Sequence, residues 1–454
     1  MIIRARTVVT MDGAPIENGA VAVSGNQIDD SPSGSSPSRA ARLCRAAPAG
    51  SVVDVGQFDR IKKRNAGEIV DLGEQALLPG LINAHCHLDY TCLRGKIPLP
   101  KMFADWIRAI NAEKARLSPK DYLSSINEGF AEARRFGTTT VANLTAFPNL
   151  IPQIHAPIRT WWFAELIDVR APKHAKEIVD LAIESLGRTR SELVLSAAEG
   201  GAPWGLAPHA LFTASKNLFE YCEEIARREN VLLTTHLAES REEMEMFRDA
   251  SGPLYEFLKR IGRPMDDCGN ETPLERFLDL IGRGGSPKRP QAIEVNRPYL
   301  PWIIAHLNEL TESDFELLQN AKVQFHVVHC PRSHDYFKNN QFPFQRLHSL
   351  GFNICLGTDS LASNENLSLF AEMRAFQRSE PGISPDEILK MATVNPAMAL
   401  HREKMIGRIR PGFCADFMAI PCGRDADLFE EIVAFEGQVD WVMVNGELQR
   451  MRPL

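Results

Sequence analysis

From residue 76 onward, short apolar runs alternate with longer stretches in which apolar residues recur every three or four positions. Eight of the apolar runs predict strands: residues 77–87, 138–146, 159–168, 193–198, 231–237, 301–307, 323–330 and 352–358. They are apolar at nearly every position rather than at every second one, the pattern of strands buried on both faces of a parallel sheet. The stretches between them, such as 121–136, 175–186, 215–229 and 368–378, have helical periodicity. Eight strand–helix units predict an α/β chain folded as a (β/α)8 TIM barrel rather than as an open doubly wound sheet.

The two ends read differently. Residues 2–10, 19–23 and 68–72 alternate and are broken by Gly and Asp, as are 416–420 and 439–444, the last followed by Asn445-Gly446. They predict one small composite β-sandwich built from residues 1–75 and 405–454, with the barrel at 76–404. Residues 29–52 are Ser/Pro-rich, then Ala/Arg-rich, without periodicity, and read as a flexible insertion or a sequence artefact remote from the chemistry. Removing them joins Gly25-Asn26-Gln27-Ile28 to Val53-Asp54-Val55-Gly56 in a strand–turn pattern.

Composition narrows the class. A hydrophobic fraction of 44% and a charged fraction of 24% are those of an ordinary globular protein. A net charge of −7 argues against nucleic acid or an anionic membrane as partner. No apolar run approaches the roughly 20 residues that span a bilayer, and Met1-Ile2-Ile3-Arg4-Ala5-Arg6 lacks the core of a secretory signal. Nine cysteines without regular spacing fit reduced thiols in a cytoplasmic protein.

The chemistry sits at the strand ends, where barrels build active sites. In Ala84-His85-Cys86-His87 the two imidazoles point to one side of a strand, since strand side chains alternate. Such a pair alone arises by chance roughly 0.3 times in a chain with this many histidines. Further strand ends supply His236 (with Glu239), His306 and Asp359. His85, His87, His236 and Asp359 make a nitrogen-rich mononuclear site suited to one divalent ion, Zn²⁺ or Fe²⁺. Singly, His236 could equally be a hydrogen-bonded core histidine, and Asp359 a helix cap. Together, in barrel order, they favour a metal site.

With Pro79-Gly80-Leu81-Ile82-Asn83-Ala84-His85-Cys86-His87, then His236 with Glu239, His306 and Gly357-Thr358-Asp359, the chain resembles the amidohydrolase superfamily. Its likeness is to the cytosine deaminase and triazine hydrolase branch, which includes adenosine-type and S-adenosylhomocysteine deaminases. The resemblance implies that His85, His87, His236 and Asp359 hold one metal ion, which acidifies water into a nucleophile. It further implies Glu239 as the acid that protonates the ring nitrogen of an aromatic amine. Asp359 would carry the proton from water to the departing amine, and His306 would hydrogen-bond the developing tetrahedral centre. The fourth strand candidate has no lysine, so a carboxylated-lysine bridge between two metals is not expected.

For substrate contacts, Ala207-Pro208-His209-Ala210 and the segment from Trp106 to Glu113 resemble elements that touch ribose, assigning His209 and Glu113. His329-Cys330-Pro331-Arg332-Ser333-His334 assigns Arg332 or His334 to the pocket, with a structural role equally open for His329. Cys86 and Cys330 read as packing groups. The long stretch 252–297 after the fifth strand reads as a lid or specificity element. With Leu356-Gly357-Thr358-Asp359-Ser360-Leu361-Ala362-Ser363-Asn364 it resembles aminodeoxyfutalosine deaminases of the alternative menaquinone pathway. The expected activity is therefore hydrolysis of the 6-amino group of an adenine-type nucleoside. Alternatives are another heterocycle (guanine, cytosine, S-adenosylhomocysteine or a triazine) or a metal-free scaffold. The expected partner is a small heterocyclic amine or nucleoside, and a homodimer is compatible with such a chain.

Overall fold

The computed structural model describes residues 1–25, 49–193, 204–282, 302–321, 323–423 and 427–449. They form two compact units, residues 1–82, 133–140 and 384–454, and residues 83–132 and 141–383.

One sheet has eight strands in sequential neighbour order: β1 (Leu81–Cys86), β2 (Thr138–Thr145), β3 (Arg159–Leu166), β4 (Trp204–Pro208), β5 (Leu232–Leu237), β6 (Trp302–His306), β7 (His326–His329) and β8 (Asn353–Leu356). A parallel bridge between Cys86 and Asp359 all but closes it into a ring, a TIM barrel. Nearly every strand residue is buried, as unbroken apolar runs require. The other sheet is mixed and joins both chain ends. Ile2–Val8 pairs with Ile16–Val23, which pairs with Val52–Gln57, while Phe417–Pro421 lies between Gln75–Pro79 and Trp441–Val444. Alternation divides its faces: Ile3, Val21, Leu77 and Phe417 fill one core, whereas Ile2, Ala20 and Ala22 pack on Ile61 of the helix Phe58–Arg64. Asn445 and Gly446 both have positive φ, the turn that closes the last hairpin.

Two expectations are corrected. The run 77–87 is two strands, one in each sheet, broken at Gly80, where a Cβ would meet the Thr139 side chain at 2.1 Å. The fourth barrel strand is Trp204–Pro208 rather than 193–198: Leu193 ends a helix, and residues 194–198 lie outside the described residues. That strand also carries no lysine. Within the stretch 252–297 the described residues hold two helices, Gly252–Arg260 and Pro273–Leu280. Most of the proposed insertion at 29–52 likewise lies outside the described residues.

A buried guanidinium ties the segment after β5 to the loop after β4. Arg263, 7% exposed, donates to the Leu211 and Phe212 carbonyls at 3.0 Å each and to Asp267 at 2.7 and 2.9 Å. Arg263→Ala leaves two carbonyls without donors and Asp267 with Arg276 at 3.3 Å as its remaining ion-pair partner, and is expected to lower the unfolding free energy by about 3 kcal/mol. An unchanged midpoint in denaturant titration would contradict this.

Candidate active site

The end of β1 supplies His85 and His87 on one face, with ring centroids 5.0 Å apart. β5 brings in His236, whose Nε2 lies 3.3 Å from Nε2 of His87. Asp359, just beyond β8, places Oδ1 3.8 Å from His85 Nε2 and 3.7 Å from His87 Nε2. All four are buried, with donor atoms within 4.8 Å of one another. Two imidazoles on one tetrahedral ion, with bonds of about 2.05 Å, stand about 3.3 Å apart. Both ring nitrogens of His85 are buried without a hydrogen-bond partner, a deficit that a cation relieves. The residues fit a single divalent metal ion.

Surrounding groups fix these donors. The His209 carbonyl accepts from Nδ1 of His236 at 2.8 Å, which leaves the Nε2 lone pair for a metal. Burial and the neighbouring His85 lower the His236 pKa to about 4, keeping the ring neutral as a ligand must be. Asp359 Oδ2 accepts from Ser333 Oγ at 2.7 Å, and Oδ1 accepts from the Ser360 amide at 2.8 Å. Ala238, His306 and Asp359, at three strand ends, hold φ of 49°, 73° and 55°. Such left-handed residues cost about 1 kcal/mol each. Backbone bonds from Asn308 to Ala238 and from Asp359 to His85, at 2.9 and 3.1 Å, keep them there.

Glu239, His306 and Asp359 form a second close group. Glu239 Oε1 is 3.7 Å from His306 Nε2. Burial first, then the charges of Asp359 and Glu243, pushes the Glu239 carboxyl well above the usual range, which favours its protonated form. It is not an exposed helix-start acid: the helix Arg241–Asp249 is capped by Ser240, one residue later. The Glu239 backbone is clamped, its amide donating to Glu243 at 2.8 Å and its carbonyl accepting from Asn308 at 2.9 Å.

These groups open onto a cavity of about 720 Å³ that Phe103, Trp106 and Lys114 line from one side and Phe257 and Ile261 from another. His209 lines it too. Glu113, Arg332 and His334 are not among the residues that line it. On the helix Phe103–Lys114 the lining residues include Phe103, Trp106, Ile110 and Lys114, while the Glu113 carboxylate pairs with Arg116. The Arg332 guanidinium is taken by Glu365 and Asn366 at 2.8 Å each. His334 packs edge-on against His329, which stacks on Phe342. Cys86 and Cys330 are buried thiols held neutral by desolvation.

Sequence reasoning missed Glu165, in β3, a buried carboxylate on the cavity wall. Its signal was available: an acidic residue closing the apolar run Trp161-Trp162-Phe163-Ala164 at the catalytic end of a barrel strand. Ser333 and Ser363, both bonded to Asp359 Oδ2, carry no such signal, because serines are common in loops.

Comparison with known proteins agrees with this geometry. The model of the amidohydrolase family matches residues 76–448. A relative from Syntrophobacter fumaroxidans, named 5-methylthioadenosine/S-adenosylhomocysteine deaminase, is 31% identical over 386 residues, 82% of this chain and 78% of its own. In fold the chain is similar to an adenosine deaminase from Xanthomonas campestris with bound zinc (TM-score 0.73, 23% identity, covering 99% of this chain and 92% of that one). It is similarly close to the Helicobacter pylori aminofutalosine deaminase in complex with methylthio-coformycin (TM-score 0.75, 18% identity, 99% of each chain). Family model, sequence relative and the buried His/His/His/Asp set agree: the chain belongs to the amidohydrolase family.

Proposed function

We propose that the protein hydrolyses the 6-amino group of an adenine-type nucleoside to a 6-oxo group, releasing ammonia, with one Zn²⁺ held by His85, His87, His236 and Asp359. The observation that carries this reading is the buried Glu239 beside His306 and Asp359, at the edge of the metal-donor set. The ion, when bound, supplies Lewis acidity that makes water nucleophilic near neutral pH. Glu239 donates its proton to the ring nitrogen next to the amino-bearing carbon, which makes that carbon electrophilic. Asp359 takes a proton from the attacking water and returns it to the leaving amine. His306 Nε2, buried and otherwise without a partner, donates to the developing oxyanion. As the amine leaves, the proton remaining on the added oxygen passes to Glu239, so nucleoside and water give the 6-oxo nucleoside and ammonia with both carboxyl groups restored.

A cavity of about 720 Å³ has room for an adenine nucleoside with a 5′ substituent. Relatives named for methylthioadenosine, S-adenosylhomocysteine and aminofutalosine support that class, and aminodeoxyfutalosine of menaquinone synthesis is one member of it. No helix among the described residues is long and apolar enough to cross a membrane; the proposed place of action is the cytoplasm. Zinc-loaded protein should be incubated with adenosine, 5′-methylthioadenosine, S-adenosylhomocysteine, aminodeoxyfutalosine, guanine and cytosine, and ammonia measured. Release is expected from the adenine nucleosides and not from the free bases; silence on every nucleoside contradicts the proposal.

A further inference from the structure

β3 ends in a carboxylate that the proposed reaction leaves unused. Glu165 has only 3% of its side chain exposed and lines the same cavity as His87, His236 and Asp359. The imidazole nitrogens facing it stand beyond hydrogen-bond distance, His87 Nδ1 at 3.6 Å and His209 Nε2 at 3.9 Å, both toward Oε1. The Tyr90 hydroxyl, a hydrogen-bonding neighbour, and the Lys114 ammonium are the other polar groups that act on it. A carboxylate has about four acceptor positions, and one buried on a cavity wall with few of them filled is matched by donors that arrive with a ligand.

The neighbourhood says which donors. An ammonium on the ligand would meet the Lys114 cation, whose Nζ sits 4.5 Å over the Tyr90 ring, so neutral hydroxyls suit the place better. Barrel order puts Glu165 and His209 at the ends of β3 and β4, whereas Glu239, His306 and Asp359 belong to the ends of β5, β6 and β8. The reacting base occupies the second group, leaving the first for the hydroxyl-bearing part of the molecule. Glu113, turned to Arg116, does not serve.

Resting on the nucleoside reading above, we infer that Glu165 is the specificity-determining residue for the sugar: its two oxygens accept the adjacent 2′- and 3′-hydroxyls, with His209 alongside. The test compares adenosine, 2′-deoxyadenosine and 3′-deoxyadenosine as substrates of the zinc-loaded wild type and of Glu165→Gln, with bound metal measured in both. Wild type is expected to favour adenosine over each deoxynucleoside by about 10- to 100-fold in kcat/KM, the worth of a hydrogen bond to a charged acceptor. Glu165→Gln should lose most of that preference by slowing adenosine alone, at unchanged metal content. Wild type that treats the three nucleosides alike overturns the inference, without depending on how the variant folds. So does a variant that slows all three equally while losing metal, which would make Glu165 a positioning residue for His87. Turnover of none of the three by the wild type would instead be a failure of the nucleoside reading itself.

Discussion

Glu239→Gln is expected to lower kcat for an adenine nucleoside by about 10³-fold while one equivalent of metal stays bound. The amide matches the carboxyl in shape, and the backbone bonds that clamp residue 239, to Glu243 and Asn308, use main-chain atoms. Residue 239 lies outside the His/His/His/Asp set, so the ion keeps its donors. What is lost is a transferable proton, and general-acid contributions run to about 10²–10⁴-fold. The site's design suits an acid: burial and the nearby Asp359 and Glu243 push the Glu239 carboxyl up, toward the protonated form a general acid needs. Steady-state kinetics beside metal analysis checks this. Turnover within tenfold of wild type would remove Glu239 from the chemistry.

His87→Ala is expected to cost both metal and activity, turnover falling by about 10⁴-fold or more. His87 faces His236 at 3.3 Å and Asp359 at 3.7 Å, so its ring closes one side of the donor set. With three ligands left in a buried pocket, affinity falls steeply and the reactive water loses its activation. Metal content of the dialysed protein separates the two variants: Glu239→Gln should keep its ion and His87→Ala should not. Stoichiometric metal in His87→Ala would contradict the ligand assignment.

How legible all this was in the chain varies with the physics at each place. His85, His87, His236 and Asp359 could be read because parallel barrel strands are continuous apolar runs and a polar residue at the end of one stands out. β4 could not. Trp204-Gly205-Leu206-Ala207-Pro208 carries the Gly and Pro that normally mark a turn, yet Gly205 is there for space: a Cβ would meet the Phe163 ring at 2.4 Å and the Leu232 carbonyl at 2.5 Å. The more strand-like run at 193–198 drew the assignment instead. The spacing of Glu113 from Trp106 shows which side of the helix it shares but not that Arg116 pairs with its carboxylate. Arg332 follows a strand end as a pocket residue would, but Glu365 and Asn366 claim its guanidinium, partners no periodicity reveals.

The most direct single measurement is a titration of metal-stripped protein with Zn²⁺, following ammonia release from a 5′-substituted adenosine at each step. The expected result is no activity in the stripped protein, then a linear rise that ends at one equivalent of zinc per chain. Undiminished activity after stripping, a break at two equivalents, or no ammonia at any loading would contradict a single-metal deaminase built on His85, His87, His236 and Asp359.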